Sequence, residues 1–261
     1  MIWSTAVLGV VAGLLIAVAT APVGVSGAVF LLPVQLSLFQ VPSPAVTPTN
    51  LLFNLVAVPG ALMRYHARGQ FGGPLTRPLV IGSVPGVVVG AVIRVFAVPG
   101  PTVFRFIVAE VLLTLGVWLC LHTLCARPHL PPRRALSCRV ITTLALVVGV
   151  VGGIYGIGGG SILGPILVSQ GLPMAVVAPA ALTSTLLTSI VGAGTYALLA
   201  LVSTGPIAPD WTLGLACGLG GLFGGYLGAH LQPYLPDAAL RLLLGSLAIT
   251  LAIAYVVQAL S

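Results

Sequence analysis

The sequence predicts an all-α polytopic membrane protein: two homologous halves of about five apolar segments each, with Gly/Pro-broken helices meeting at mid-membrane. Three observations carry this expectation. Of the 261 residues 58% are hydrophobic and only 5% charged, whereas a soluble domain carries about 25% charged residues. Long apolar runs recur from end to end, as bilayer-spanning helices require. The second half of the chain then repeats the order of glycines and prolines of the first.

The apolar segments, in order, fall near 2–20, 27–40, 44–63, 78–98, 103–125, 139–152, 160–171, 174–202, 211–231 and 238–260. Segment 2–20 lacks a basic leader region and runs on into more apolar sequence, so it reads as a permanent span and not a cleaved signal. The third segment starts among prolines and stops at Arg64; the fourth starts after Arg77. Arg127, Arg133, Arg134 and Arg139 mark a linker over 127–138 between a first repeat, 1–126, and a second, 139–261. Arginine clusters mark cytoplasmic loops, so 64–77 and 127–138 are expected on the cytoplasmic side. The formal charge of +7 arises from ten arginines against Glu110, Asp210 and Asp237. In this setting it is a topology signal, and no nucleic-acid partner is expected; the partner is the lipid bilayer. The cysteines at 120, 125, 138 and 217 form no CxxC pair and meet no His/Asp cluster, so neither metal nor cofactor is expected.

The repeat is residue-specific. "GVSGAVFLLP" from Gly24 matches "GIGGGSILGP" from Gly156, pairing Gly27 with Gly159 and Pro33 with Pro165. "VPSPAVTPTNL" from Val41 matches "LPMAVVAPAAL" from Leu172, pairing Pro48 with Pro179. "GAVI" from Gly90 parallels "GAHL" from Gly228, and Arg105 falls opposite Arg241. Five crossings per half would invert the second copy; four would keep it parallel. The 203–209 loop, counterpart of 64–77, contains no arginine, which favours the inverted arrangement. Arg94 and Arg105 near an external loop count against it, unless they snorkel to an interface.

Around Gly152–Pro165 glycines crowd together, yet neither nucleotide fingerprint fits. Ser161 stands where a dinucleotide motif needs its third glycine, and a phosphate loop needs a lysine, which this chain lacks. Segment 160–171 gives about 18 Å of helix, too short for a core about 30 Å thick. Short segments interrupted by glycine and proline at matching places in two halves point to a transporter's substrate site. Gly158, Gly159 and Gly160, with Gly24 and Gly27 in the weaker first copy, are expected to break helices and aim N–H groups at a ligand. Missing Cβ atoms would let that ligand approach the backbone. At four-residue spacing, as in Gly220, Gly224 and Gly228, helix packing is the expected role instead.

"GIYGIGGGSILGPILV", "PDWTLGLACGLGGLFGGYLGAHL" and the paired halves together resemble the sulfite exporter TauE/SafE family of membrane permeases, across essentially the whole chain. The resemblance implies a multi-pass transporter of the bacterial inner membrane, not an enzyme, moving sulfite, a sulfonate or another small organic anion by alternating access. Export is favoured, because an inside-negative potential expels anions.

Asn50 and Asn54, four apart on one helix face, are the expected polar contacts, with Thr47 a turn before and Ser184 and Thr185 in the matching stretch. Ser26 and Ser161 flank the breaks. Glu110 is the acid placed well inside an apolar segment, a candidate for proton coupling or for an ion pair with Arg105 or Arg94. Two rivals remain. "GVSG" with His230 resembles the serine and histidine of rhomboid intramembrane proteases, and a membrane assembly factor would need no transport site at all.

Overall fold

The computed structural model describes residues 2–70, 73–97, 101–125, 137–170, 172–202 and 207–236, with scattered positions between 238 and 256. Arg105 and Pro165 have side chains outside the described residues, as do the linker arginines 127, 133 and 134 and loop 203–206. The chain is helical: α1 (Ile2–Thr20), α2 (Ala28–Ser37), α3 (Ser43–Ala67), α4 (Thr76–Phe96), α5 (Pro101–Leu124), α6 (Cys138–Tyr155), α7 (Gly160–Ser169), α8 (Met174–Val202) and α9 (Trp211–Leu231). Among the described residues six helices are long and apolar enough to cross a membrane.

Bounds follow local chemistry. α9 starts where Asp210 Oδ1 accepts from the Leu213 N–H at 2.9 Å, and α6 where Ser137 Oγ accepts from Val140 at 3.4 Å; both are N-caps that satisfy otherwise orphaned donors. The expected segment 139–152 runs on to Tyr155 because the helix ends only at left-handed Gly156, φ 70° and ψ 20°. The expected 27–40 is shorter, since α2 stops at Ser37 and the chain turns through Gln40, whose φ is +51°. At ten residues each, α2 and α7 are about 15 Å long, half of a bilayer core.

Glycine faces hold the long helices together. On α9, a Cβ at Gly220 would lie 1.9 Å from the Val10 oxygen of α1; Gly224 faces Leu14 and Gly228 faces Val18. The partners ascend together, so α1 and α9 run parallel. On α4, Gly82, Gly86 and Gly90 meet Thr142, Leu146 and Val150 of α6 in the same rising order. α9 also runs parallel to α3, with Gly214, Gly218 and Gly225 against Leu52, Val56 and Ala61. α3 and α8 cross in opposite directions: Gly192 faces Leu51, while Leu182 and Ala61 line one small cavity at the other end. The missing side chains bring backbones into contact, which is how helices associate where lipid leaves no hydrophobic drive between them. Outward-facing Val7, Val11 and Leu15 on α1 and Leu219 and Phe223 on α9 are exposed, the surface a bilayer would cover.

Candidate functional site

Two helix breaks meet between α3 and α8. After α1, Ala21–Val23 forms a tight turn that ends at Gly24, φ 71° and ψ 19°. That backbone geometry is nearly the same as at its repeat partner Gly156, and each short helix begins four residues later, at Ala28 and at Gly160. The breaks are bonded to each other: the Ser26 N–H donates to Ser161 Oγ at 3.1 Å, and Ser161 Oγ donates to the Ile157 oxygen at 2.8 Å.

The two asparagines pin this junction. Asn50 Nδ2 donates to the Ala28 oxygen at 3.1 Å and the Tyr155 oxygen at 3.3 Å. Asn54 Nδ2 donates to the Gly156 oxygen at 3.2 Å, and its Oδ1 accepts from the Ser26 hydroxyl. Thr47, one turn earlier, donates to the Ile154 oxygen at 3.0 Å. α3 of the first half thus supplies the hydrogen bonds that the broken second-half backbone lacks. Buried carbonyls are costly unless paired.

All the sequence-derived residues of the breaks and of α3 and α8 come together and are buried: Gly24, Ser26, Gly27, Asn50, Asn54, Gly158, Gly159, Gly160, Ser161, Ser184 and Thr185. The glycines differ from expectation in what they admit. A Cβ at Gly158 would lie 2.5 Å from Thr185 Cγ2, at Gly159 2.6 Å from Ser83 Oγ, and at Gly160 1.8 Å from the Ala181 oxygen. Neighbouring atoms stand where those Cβ atoms would be, so these glycines pack as tightly as Gly220. Gly158 additionally needs its φ of +72°. The nearby cavity, lined by Thr20, Ser26, Gly27, Phe53 and Leu182 among others, is about 20 Å³, room for roughly one water.

Several polar atoms at the junction are left over. Thr185 Oγ1, Ser189 Oγ, Thr20 Oγ1 and Asn50 Oδ1 are buried without hydrogen-bond partners. Gln35, one of the flanking polar groups on α2, is fully buried with both amide atoms unpartnered. Ser184 instead reaches Ser83 Oγ at 3.4 Å, and Thr188 accepts from the Gly159 N–H at 3.3 Å.

Sequence reasoning missed three features. Tyr65 donates to the Ala21 oxygen at 3.1 Å and Tyr196 to the Gly153 oxygen at 2.9 Å; these tyrosines are repeat counterparts on corresponding carbonyls. Ser83, beside the α4 glycine face, is fully buried. Arg94, near an expected external loop, is 2% exposed and the largest fully buried side chain among the described residues. It follows Gly90 by one turn on the face that meets α6, and lies within electrostatic reach of Tyr196 and Tyr155. The glycine spacing 82, 86, 90 already carried that signal, because position 94 continues it.

Glu110 faces a separate cavity of about 360 Å³ between α5, α6 and α7, with Thr114, Trp118, Val148 and Ile162 among its walls. It lies within electrostatic reach of Tyr155. The protease pairing does not form: the Ser26 hydroxyl is committed to Asn54, and exposed His230 sits against the Tyr234 ring at 6.4 Å between centroids.

The family model described as Sulfite exporter TauE/SafE matches residues 9–255. No curated protein and no solved structure matches the chain.

Proposed function

The chain belongs to the sulfite exporter TauE/SafE family and is a multi-pass membrane transporter, and from that premise we propose that it moves a small anion outward across a bacterial inner membrane. Sulfite or a sulfonate is the substrate class, and alternating access between two inverted repeats is the mechanism. The observation that carries the reading is the pair of buried, partnerless hydroxyls of Thr185, which lies against Gly158 and Gly160 at the start of α7, and of Ser189, one turn further along α8. A buried polar group left unpaired costs about 1–3 kcal/mol. Oxygens of an anion at the α7 N-terminus would accept both protons, where the helix dipole also favours negative charge. Gly24, Ser26, Gly27, Asn50, Asn54, Gly158, Gly159, Gly160, Ser161 and Ser184 complete the junction around that place.

Two observations support alternating access. The cavity beside the breaks, about 20 Å³, is too small for an anion, so on this reading the two breaks part for the substrate to pass. The repeat-equivalent helices α3 and α8 run in opposite directions, while α1 with α9 and α6 with α4 make equivalent parallel pairs, as inverted copies would. Direction follows from electrostatics: 100 mV, inside negative, is worth about 2.3 kcal/mol per charge, so about 4.6 kcal/mol drives a dianion out without a coupled ion. If a proton is exchanged, Glu110 on its cavity is the group to carry it.

Proteoliposomes loaded with a panel of small anions, assayed with and without a potential or a pH gradient, test the function. Thr185→Val keeps the side-chain shape and removes the hydroxyl. It should leave thermal stability unchanged or slightly higher and weaken sulfite binding at least tenfold. Unchanged binding would remove Thr185 from the site.

A further inference from the structure

Arg94 lies on α4, outside the helices that form the two breaks, yet it is the largest fully buried side chain of the described residues. A cation buried within a membrane segment is expensive and commonly serves a charged substrate. Its surroundings are specific. Arg94 extends the Gly82–Gly86–Gly90 face of α4, which lies on α6, and Tyr155 and Tyr196 are within its electrostatic reach. Tyr155 is the last residue of α6, directly before left-handed Gly156 and the α7 break. Tyr196 is bonded to the Gly153 oxygen in the last turn of α6.

The repeat supplies a built-in control. Gly90 corresponds to Gly228, so Arg94 corresponds to Gln232. Gln232 Nε2 donates to the Pro22 oxygen at 2.7 Å, at the first-half break. The same place beside the two breaks therefore holds a guanidinium in one half and a neutral amide in the other.

We infer that Arg94 is the fixed cation of the anion path, holding the substrate's oxyanion on the α6–α7 side while Gln232 leaves the opposite side uncharged. A guanidinium presents a planar fork of donors that matches two oxygens of a sulfite or sulfonate group. A path with its charge at one end only holds the anion at that end and lets it go at the other. A purely structural alternative exists within the molecule: Arg68 Nη1 and Nη2 donate to the Ala229 and His230 oxygens at 2.7 and 2.9 Å, capping α9, and Arg94 at the α6 terminus could do only that.

This inference rests on the anion-transport reading, and the experiment separates the two. Purified wild type, Arg94→Gln and Arg94→Lys are melted in detergent against sulfite, methanesulfonate and a neutral methyl sulfone. Wild type should gain stability with the anions alone. Arg94→Gln should lose at least tenfold in apparent anion affinity, and Arg94→Lys should retain part of it. No anion effect on wild type would overturn the transport reading together with this one; an undiminished effect in Arg94→Gln would overturn only the role of Arg94. Should Arg94→Gln fail to fold, Arg94→Lys still decides, because the chain has no other lysine. Methanesulfonate should slow labelling of the introduced side-chain amine by an amine-specific reagent at least fivefold. Labelling that ignores the anion, or an amine the reagent never reaches, would show that position 94 does not line the path.

Discussion

At the break after α1 the Ser26 hydroxyl is bonded to Asn54; at the break after α6 the corresponding positions hold Gly158 and Thr185, and the Thr185 hydroxyl has no partner. The two breaks share a backbone plan, with Gly24 and Gly156 in nearly identical left-handed geometry. They diverge two residues later. Among the described residues outside glycine only Gln40 has a positive φ, so Ser26 stays in the ordinary region while Gly158 takes φ +72°. At the first break the Ser26 hydroxyl is paired within its own half, although its N–H leans on Ser161; at the second, the Tyr155 and Gly156 oxygens are propped by asparagines from the other half and the Thr185 hydroxyl is left over. Inversion would make the two ends of the path equivalent, and these few residues are where the equivalence is lost.

The largest test of that contrast removes the prop. Asn54→Leu strips the Ser26 hydroxyl of its acceptor and the Gly156 oxygen of its donor. With each orphan costing about 1–3 kcal/mol, thermal melts should report a loss of about 2–6 kcal/mol together with anion binding. A loss below 1 kcal/mol would mean that the second break stands without its prop. Next come the glycines. Gly160→Ala drives a Cβ to 1.8 Å from the Ala181 oxygen, and Gly220→Ala to 1.9 Å from the Val10 oxygen, whereas Gly194→Ala meets nothing within 4 Å. The first two should each destabilise by about 1–3 kcal/mol, and the third should be neutral or stabilise by up to about 1 kcal/mol. Equal melting of all three would refute the close approach. The smallest effect belongs to the matched tyrosines. Tyr65→Phe and Tyr196→Phe each delete a hydrogen bond to the turn preceding a break, about 0.5–1.5 kcal/mol, and Tyr196→Phe should cost the more, because its hydroxyl also meets Thr47; equal losses in thermal melts would show that the Thr47 contact adds nothing.

Much of the fold was legible because long apolar runs with hard stops define their own bounds. α1, α8 and α9 begin and end where the apolar segments 2–20, 174–202 and 211–231 do. The apolar segment 139–152 stops three residues short of the end of α6, since glycines inside an apolar helix read as an ending until the one with positive φ is known. That these residues cluster was legible from the repeat and from the spacing of the asparagines, but their wiring was not. Nothing in the spacing of Asn50 and Asn54 says that their amides face carbonyls of the other half, 102 to 105 residues away. The burial of Arg94 was not legible for another reason: snorkelling is the usual fate of an arginine near a helix end, and the glycine face it continues shows itself only once α6 is seen to lie on it. The break glycines also make room for protein: Gly24, Gly158 and Gly160 for α8, Gly159 for Ser83, and Gly27 for Ile16 and Phe53.

The pairing of α1 with α9 also governs how the protein is made. Val10 and Gly220 touch backbone to backbone, so at elongation rates of about 5–20 residues per second the first helix leaves the ribosome roughly 10–40 s before its partner exists. Throughout that interval α1 sits in the insertion machinery or in lipid with its Gly9 and Gly13 surface uncovered, an open invitation to a wrong neighbour. The protein therefore cannot mature one half at a time. An expressed first half should be cleared by membrane proteases, and the two halves made as separate chains should rescue each other only when synthesised together.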